Sequence, residues 1–320
     1  MLRLPRSLVA LAALALAAPA CGDDAGDAAG GGRPSVVVTT NLLGDVVGAL
    51  LGDAADVTTV MPVGANPHDF QASAQDAAAM RGADLLVVNG GGFEEGLLEV
   101  IEGAEADGVR VHEALSAVEP LAREEGGDDH AGDEAEEDEH GHEEGVDPHF
   151  FTDPARMAIA AEGILDAAVD AAPSLDTPEV RERAAAYVAE LRALDAEVEE
   201  VLAAVPDDRR VLVTNHEVFG YFADRYGFEV VATVVPGGST DGASAGDLAA
   251  LLDTIEREQV PAIFADTSSP AKLAEALAAD AGAIEVVELF SESLGDEGSG
   301  GETYLDMVRT NAERIAAALA

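Results

Sequence analysis

Apolar residues along this chain fall into two alternating patterns. Short β-branched runs such as SVVVTT (35–40) and LLVVN (85–89) read as buried strands. Between them, Leu42, Leu43, Val46, Val47, Leu50 and Leu51 recur at helical spacing. The pattern predicts strands over 35–40, 56–61, 85–89 and 109–112, and helices over 42–51, 72–81 and 93–104. It then breaks. Residues 123–144 hold twelve acids and three histidines (His130, His140, His142) with hardly an apolar side chain. Nothing there can bury, so a mobile loop is expected.

Regular structure returns at Thr152-Asp153-Pro154, where Asp153 suits an N-cap and Pro154 a first helical position. A helix over 154–172 would reach roughly 28 Å before Pro173 stops it. A second, over 179–205, carries Val180, Tyr187, Leu191, Leu194, Val198, Val201 and Leu202 on one stripe. Alternation then resumes, with strands over 210–214, 228–234, 262–265 and 284–289 and helices over 221–226, 246–258, 271–281 and 303–319. Such alternation implies an α/β fold with parallel sheets, in two halves joined near the middle by one long helix.

Composition adds an aliphatic core: 48% of residues are hydrophobic, tryptophan is absent and Phe and Tyr are few. The formal net charge of −46 argues against a nucleic-acid partner and suits a cationic one. The first twenty residues read as an export signal: Arg3 and Arg6, a short apolar run over 8–18, then a small-residue Ala-Pro-Ala cleavage site. Removing them takes two positive charges and no acids, leaving −48. Cys21 follows and is the only cysteine, which excludes an intrachain disulfide. The Ala-Pro-Ala-Cys junction resembles a lipobox, so the expected product is lipid-anchored through Cys21 outside the cytoplasmic membrane, the alternative being a soluble periplasmic or secreted protein. Residues 21–34, rich in Gly, Ala and Asp, read as a flexible tether.

The candidate chemistry lies in histidines at element ends. His68 sits in GANPHDF (64–70), His149 in VDPHFF (146–151) and His216 in VTNHE (213–217). Two follow proline, which stiffens the turn that presents them. His68 and His216 follow strands, where open α/β sheets bind ligands. His112 ends a strand without such a turn and reads as structural. Three neutral imidazoles plus a carboxylate suit a borderline divalent ion, zinc above all. Glu292 and Asp266, both at strand exits, are candidates for the carboxylate.

NPHDF (66–70), ADLLVVNG (83–90), DPHFFTDP (147–154), TNHEVFGYFA (214–223), IFADTSSPAKL (263–273) and FSESL (290–294) occur in this order and spacing. Together they resemble the metal-binding solute-binding proteins of ABC transporters, which deliver zinc or manganese to a membrane permease. The resemblance covers Ser35 to the C-terminus. It implies two Rossmann-like lobes, 35–153 and 173–320, joined by a rigid helix over 154–172, with metal in the cleft between them. It implies His68, His149, His216 and Glu292 as ligands, although the family more often has Asp at the last position. Asp266, where the family often has Glu, then takes a supporting role. A carboxylate often replaces His216 in manganese carriers, so an imidazole there favours zinc. The acidic tract resembles the His-rich loop of zinc carriers.

The expected function is therefore capture of zinc outside the cell and delivery to a permease, by a monomer and without turnover. The alternatives are a manganese or iron carrier, a metal-dependent adhesin or buffer, and a zinc hydrolase with Glu217 as base. The hydrolase lacks an H-E-x-x-H motif in its favour.

Overall fold

The computed structural model describes residues 32–122, 145–214, 216–233, 245–258, 260–267, 272–282 and 284–320. The export signal, Cys21, most of the tether and the acidic tract with His130, His140 and His142 lie outside the described residues. The last tether residues already belong to the fold. Arg33 pairs with Asp56, and Pro34 O accepts the Asp56 amide at 2.8 Å.

The first half runs β1 (Ser35–Val38), α1 (Asn41–Leu51), β2 (Asp56–Thr59), α2 (Ala74–Arg81), β3 (Leu85–Val88), α3 (Leu98–Ala106) and β4 (Arg110–Glu113). Then come α4 (Pro154–Ala171) and α5 (Pro178–Leu202). The second half runs β5 (Val211–Thr214), α6 (Gly220–Tyr226), β6 (Glu229–Thr233), α7 (Ala245–Glu258), β7 (Ala262–Asp266), α8 (Lys272–Asp280), β8 (Glu285–Leu289) and α9 (Tyr304–Leu319). Strand order is β2-β1-β3-β4 in one sheet and β6-β5-β7-β8 in the other, every pairing parallel. Each sheet thus reverses direction beside its first strand. Such a switch point opens a crevice at the carboxyl ends.

The helix starts obey local chemistry. Asp153 caps α4 by accepting from the amides of Ala155 and Arg156, with Pro154 at the first position. Thr177 and Pro178 do the same for α5. The helix expected over 93–104 starts instead at Leu98. Gly90, Gly91 and Gly92 all have positive φ (89°, 65°, 74°), and a 3-10 turn over Glu95–Leu97 follows. This detour turns Glu94 inward to 1% exposure.

One apolar cluster runs through both halves. It joins Val36 and Leu85 of the first sheet, Ile164 of α4, Tyr187 and Leu191 of α5, Leu212 and Phe264 of the second sheet, and Tyr304 of α9. Residues 33–320 accordingly form one compact unit. The core is built mostly of Val, Leu and Ala, as its composition implies, but aromatics join it. Tyr221, Tyr304, Phe93, Phe150, Phe151 and Phe264 are among the largest fully buried side chains. The few aromatics are therefore spent inside, several of them beside the candidate ligands.

Candidate metal centre

His68 lies in the turn that follows β2. Asn66 Oδ1 accepts the His68 backbone amide at 2.9 Å, a local Asx turn that sets the ring's direction. The His68 Nδ1 lies 3.3 Å from Glu95 Oε1. His149 is fixed more tightly. Asp147 Oδ1 accepts both its backbone amide (2.9 Å) and its Nδ1–H (2.7 Å). In the neutral ring, a proton held on Nδ1 by Asp147 leaves Nε2 as the lone-pair nitrogen. Phe93 and Phe151 pack edge-on against the ring at 5.7 and 5.8 Å between centroids. His216 follows β5, and its carbonyl accepts from the Thr214 hydroxyl (2.8 Å) and the Val218 amide (2.9 Å). Glu292 follows β8 and is 2% exposed.

These four side chains, drawn from four separate loops, converge. One ligand atom from each lies within 4.8 Å of all the others. Glu292 Oε1 is 2.8 Å from His68 Nε2, 3.1 Å from His216 Nε2 and 3.3 Å from His149 Nε2. Ligand bonds of about 2.0–2.1 Å at tetrahedral angles would place neighbouring donor atoms about 3.3 Å apart. The ring planes are mutually tilted or perpendicular (60°, 89° and 74°), so the nitrogens point inward rather than stacking. His149 Nε2, His216 Nε2 and Glu292 Oε2 are buried and make no hydrogen bond. Buried polar atoms are rarely left so, and three Nε2 atoms converging on one carboxylate fit a divalent cation.

The electrostatics agree. Burial pulls the His149 pKa down, but the hydrogen bond to Asp147 and the nearby Glu292 carboxylate outweigh it and push the group up to about 9. Burial also lowers His68, again outweighed by Glu292. Burial would raise Glu292, yet the three imidazoles hold it well below the usual carboxylate range. The site is thus an ionised carboxylate surrounded by three imidazole nitrogens, two of which, those of His68 and His149, hold protons more firmly than usual.

Two other candidates stand apart. Asp266 is buried at the end of β7, outside the four converging groups. His112 lies in β4 with its Nε2 buried and unpartnered, and burial lowers its pKa. Both the tight Asp147–His149 pairing and a buried scaffold were missed by sequence reasoning. Glu94 Oε1 accepts from the Thr39 hydroxyl (2.6 Å) and the Asn89 amide (2.6 Å), tying the exits of β1 and β3 together. Asn89 Nδ2 in turn donates to Pro148 O at 2.9 Å, beside His149. Tyr221 of α6 donates to Asp147 O (2.8 Å) and accepts from the Leu121 amide (3.0 Å). Gly220 makes room for this, since a Cβ there would sit 2.6 Å from Asp147 Oδ2. The aspartate two residues before His149 was a readable signal; Tyr221, 74 positions from Asp147, was not.

The family model described as ZnuA, zinc-uptake complex component A periplasmic, matches residues 36–318. The zinc-binding protein TroA of Treponema pallidum is 34% identical over 300 residues, covering 92% of this chain and 91% of that protein. The manganese-binding lipoprotein MntA of Halalkalibacterium halodurans is 28% identical over 309 residues, covering 96% and 95%. The solved structure of the periplasmic zinc-binding protein TroA of T. pallidum overlays with a TM-score of 0.78 at 32% identity, covering 90% of this chain and 100% of that one. The family match spans both parallel sheets and all four converging side chains, and on that ground the chain belongs to the ZnuA family of zinc-uptake components.

Proposed function

We propose that this protein captures zinc outside the cytoplasmic membrane and delivers it to the permease of an ABC importer. In coarser terms it is a metal-binding substrate-binding protein of the ABC-transporter type. The observation that carries the reading is the His68–His149–His216–Glu292 cluster, buried except for the half-buried His68, with three unpartnered polar atoms. Zinc is its cargo, held by the three Nε2 atoms and Glu292. Capture and release break no covalent bond, so no catalytic base is needed. Three imidazoles favour zinc over a harder ion, and TroA, named for zinc, is among the relatives. No helix of the described residues is long and apolar enough to cross a membrane. The Ala-Pro-Ala-Cys junction and the lipoprotein name of MntA support a lipid on Cys21 as the anchor.

A manganese reading rests on a different observation. The second oxygen of Glu292 is free to bind, and a bidentate carboxylate would raise the coordination number toward that preferred by a harder ion. MntA, named for manganese, is also a relative. Competition calorimetry on metal-stripped protein decides between the two. Tighter zinc binding is expected, and tighter manganese binding overturns the choice. Delivery is tested by deleting the gene: growth should fail on zinc-limited medium, and unimpaired growth would leave a buffer or adhesin in place of a carrier.

A further inference from the structure

The loops carrying His68 and Glu292 meet at a residue that touches neither ligand's donor atoms. Asn41, the first residue of α1, is buried to 8% exposure. Its Nδ2 donates to Pro62 O (3.0 Å) and to Ser293 Oγ (3.2 Å), and its Oδ1 accepts from the Leu294 amide (2.7 Å). Ser293 Oγ also accepts from the Gly64 amide (2.7 Å) and donates to Leu294 O (3.0 Å). Pro62 and Gly64 lead from β2 into the His68 turn, and Ser293 and Leu294 directly follow Glu292. Three of these bonds therefore cross between the two halves of the molecule, over sequence separations of 229 to 253 residues.

The set is chemically complete. The serine hydroxyl uses its one donor and both acceptor positions. The amide orientation is forced, because flipping it would set NH2 against the Leu294 N–H and oxygen against the Pro62 carbonyl. Aspartate would lose the donor, and leucine would lose both functions. None of these bonds is needed to cap α1, which Thr40 does by accepting from the Leu43 amide.

We infer that Asn41 and Ser293 form a latch across the cleft that keeps the His68 turn in register with Glu292 and so sets how fast the metal leaves. The inference rests on the metal-capture reading. A cation held from two halves departs when the halves part, and parting here breaks three hydrogen bonds: Asn41 Nδ2 and the Gly64 amide to Ser293 Oγ, and the buried Leu294 amide to Asn41 Oδ1. Asn41 and Ser293 act as positioning residues, through the ligands rather than on the metal.

The test is a chelator chase on the zinc-loaded full chain, comparing wild type with Asn41→Ala and Ser293→Ala. Zinc association rates and the visible absorption of the cobalt-loaded form are measured in parallel. Zinc should leave Asn41→Ala at least about tenfold faster and Ser293→Ala about threefold faster, with association changed less than about twofold and the cobalt bands broadened. Off-rates equal to wild type in both variants overturn the latch, as does an acceleration matched by an equal slowing of association. Should Asn41→Ala fail to fold, Ser293→Ala decides between the same results. Wild-type protein that takes up no zinc defeats the metal-capture reading, and the latch with it; wild-type uptake with unchanged variant off-rates defeats the latch alone.

Discussion

The two sheets share one strand order, and each half supplies two of the four converging side chains, yet they hold them differently. The first half backs its imidazoles with carboxylates: Asp147 behind His149 and Glu95 behind His68. Among the described residues, the His216 ring of the second half has no carboxylate partner except Glu292. Glu292 itself is placed through its backbone neighbours. Asn311 of α9 clamps Phe290, accepting its amide at 3.0 Å and donating to its carbonyl, while Asn41 and Ser293 hold the other side. The difference teaches a division of labour. The first half presents rings already oriented, and the second half brings its two side chains to them from across the cleft.

The harshest way to probe this division is to remove a donor from the second half. Glu292→Gln and His216→Ala should each weaken zinc by at least about a hundredfold, since an uncompensated buried partner costs about 3–5 kcal/mol. His112→Ala, away from the centre, should bind zinc as wild type does. Equal losses at positions 112 and 216, read by calorimetry, would mean that the ligands are misassigned.

A smaller effect separates the carboxylates of the first half. Asp147→Asn should cost about tenfold to a hundredfold in zinc affinity, the range for a partner that orients a ligating histidine. Glu95→Gln should cost only a few-fold, because its side chain is 61% exposed and water screens the pair. Tyr221→Phe, which loosens Asp147 only through its backbone carbonyl, should fall between them or lower. A larger loss at Glu95 than at Asp147 would reverse the picture of which ring is held.

The pH dependence carries a definite sign. In the metal-free protein His149 is raised to about 9 from an unfolded value of 6.5. Its contribution to folding is therefore complete below about pH 6.5 and is lost as pH rises through about 9. Zinc bound there would need the neutral ring, so binding should expel protons and tighten as pH rises across that window. Glu292 is depressed instead, and its contribution persists until pH falls well below the usual carboxylate range. Calorimetry in buffers of different ionisation enthalpy should register proton release at neutral pH; none would contradict the assigned protonation. The mildest change is deletion of residues 126–144, which should leave the tight site unaltered while lowering total zinc capacity. Loss of tight binding on that deletion would refute a separate role for the acidic tract.

Much of this architecture was legible in the chain because its signals are local. SVVV and LLVV form buried strands, and Asp153-Pro154 starts a helix where a cap and a fixed φ coincide. His68 and His149 announce themselves through proline-stiffened turns, and His216 through its strand exit. What stayed hidden is long-range. Nothing periodic links Asn41 to Ser293, Tyr221 to Asp147, or Thr39 to Glu94; such bonds form only when the sheets bring distant loops together. The start of α3 was misread for a different reason. Apolar spacing over 93–104 looked helical, but three left-handed glycines beforehand delay the helix to Leu98.

The central claim is convergence on one cation, and diffraction from zinc-loaded crystals at the zinc absorption edge tests it most directly. The account predicts a single strong anomalous peak about 2.0–2.2 Å from Nε2 of His68, His149 and His216 and from a carboxylate oxygen of Glu292. A peak elsewhere, or no peak among these four side chains, would contradict it.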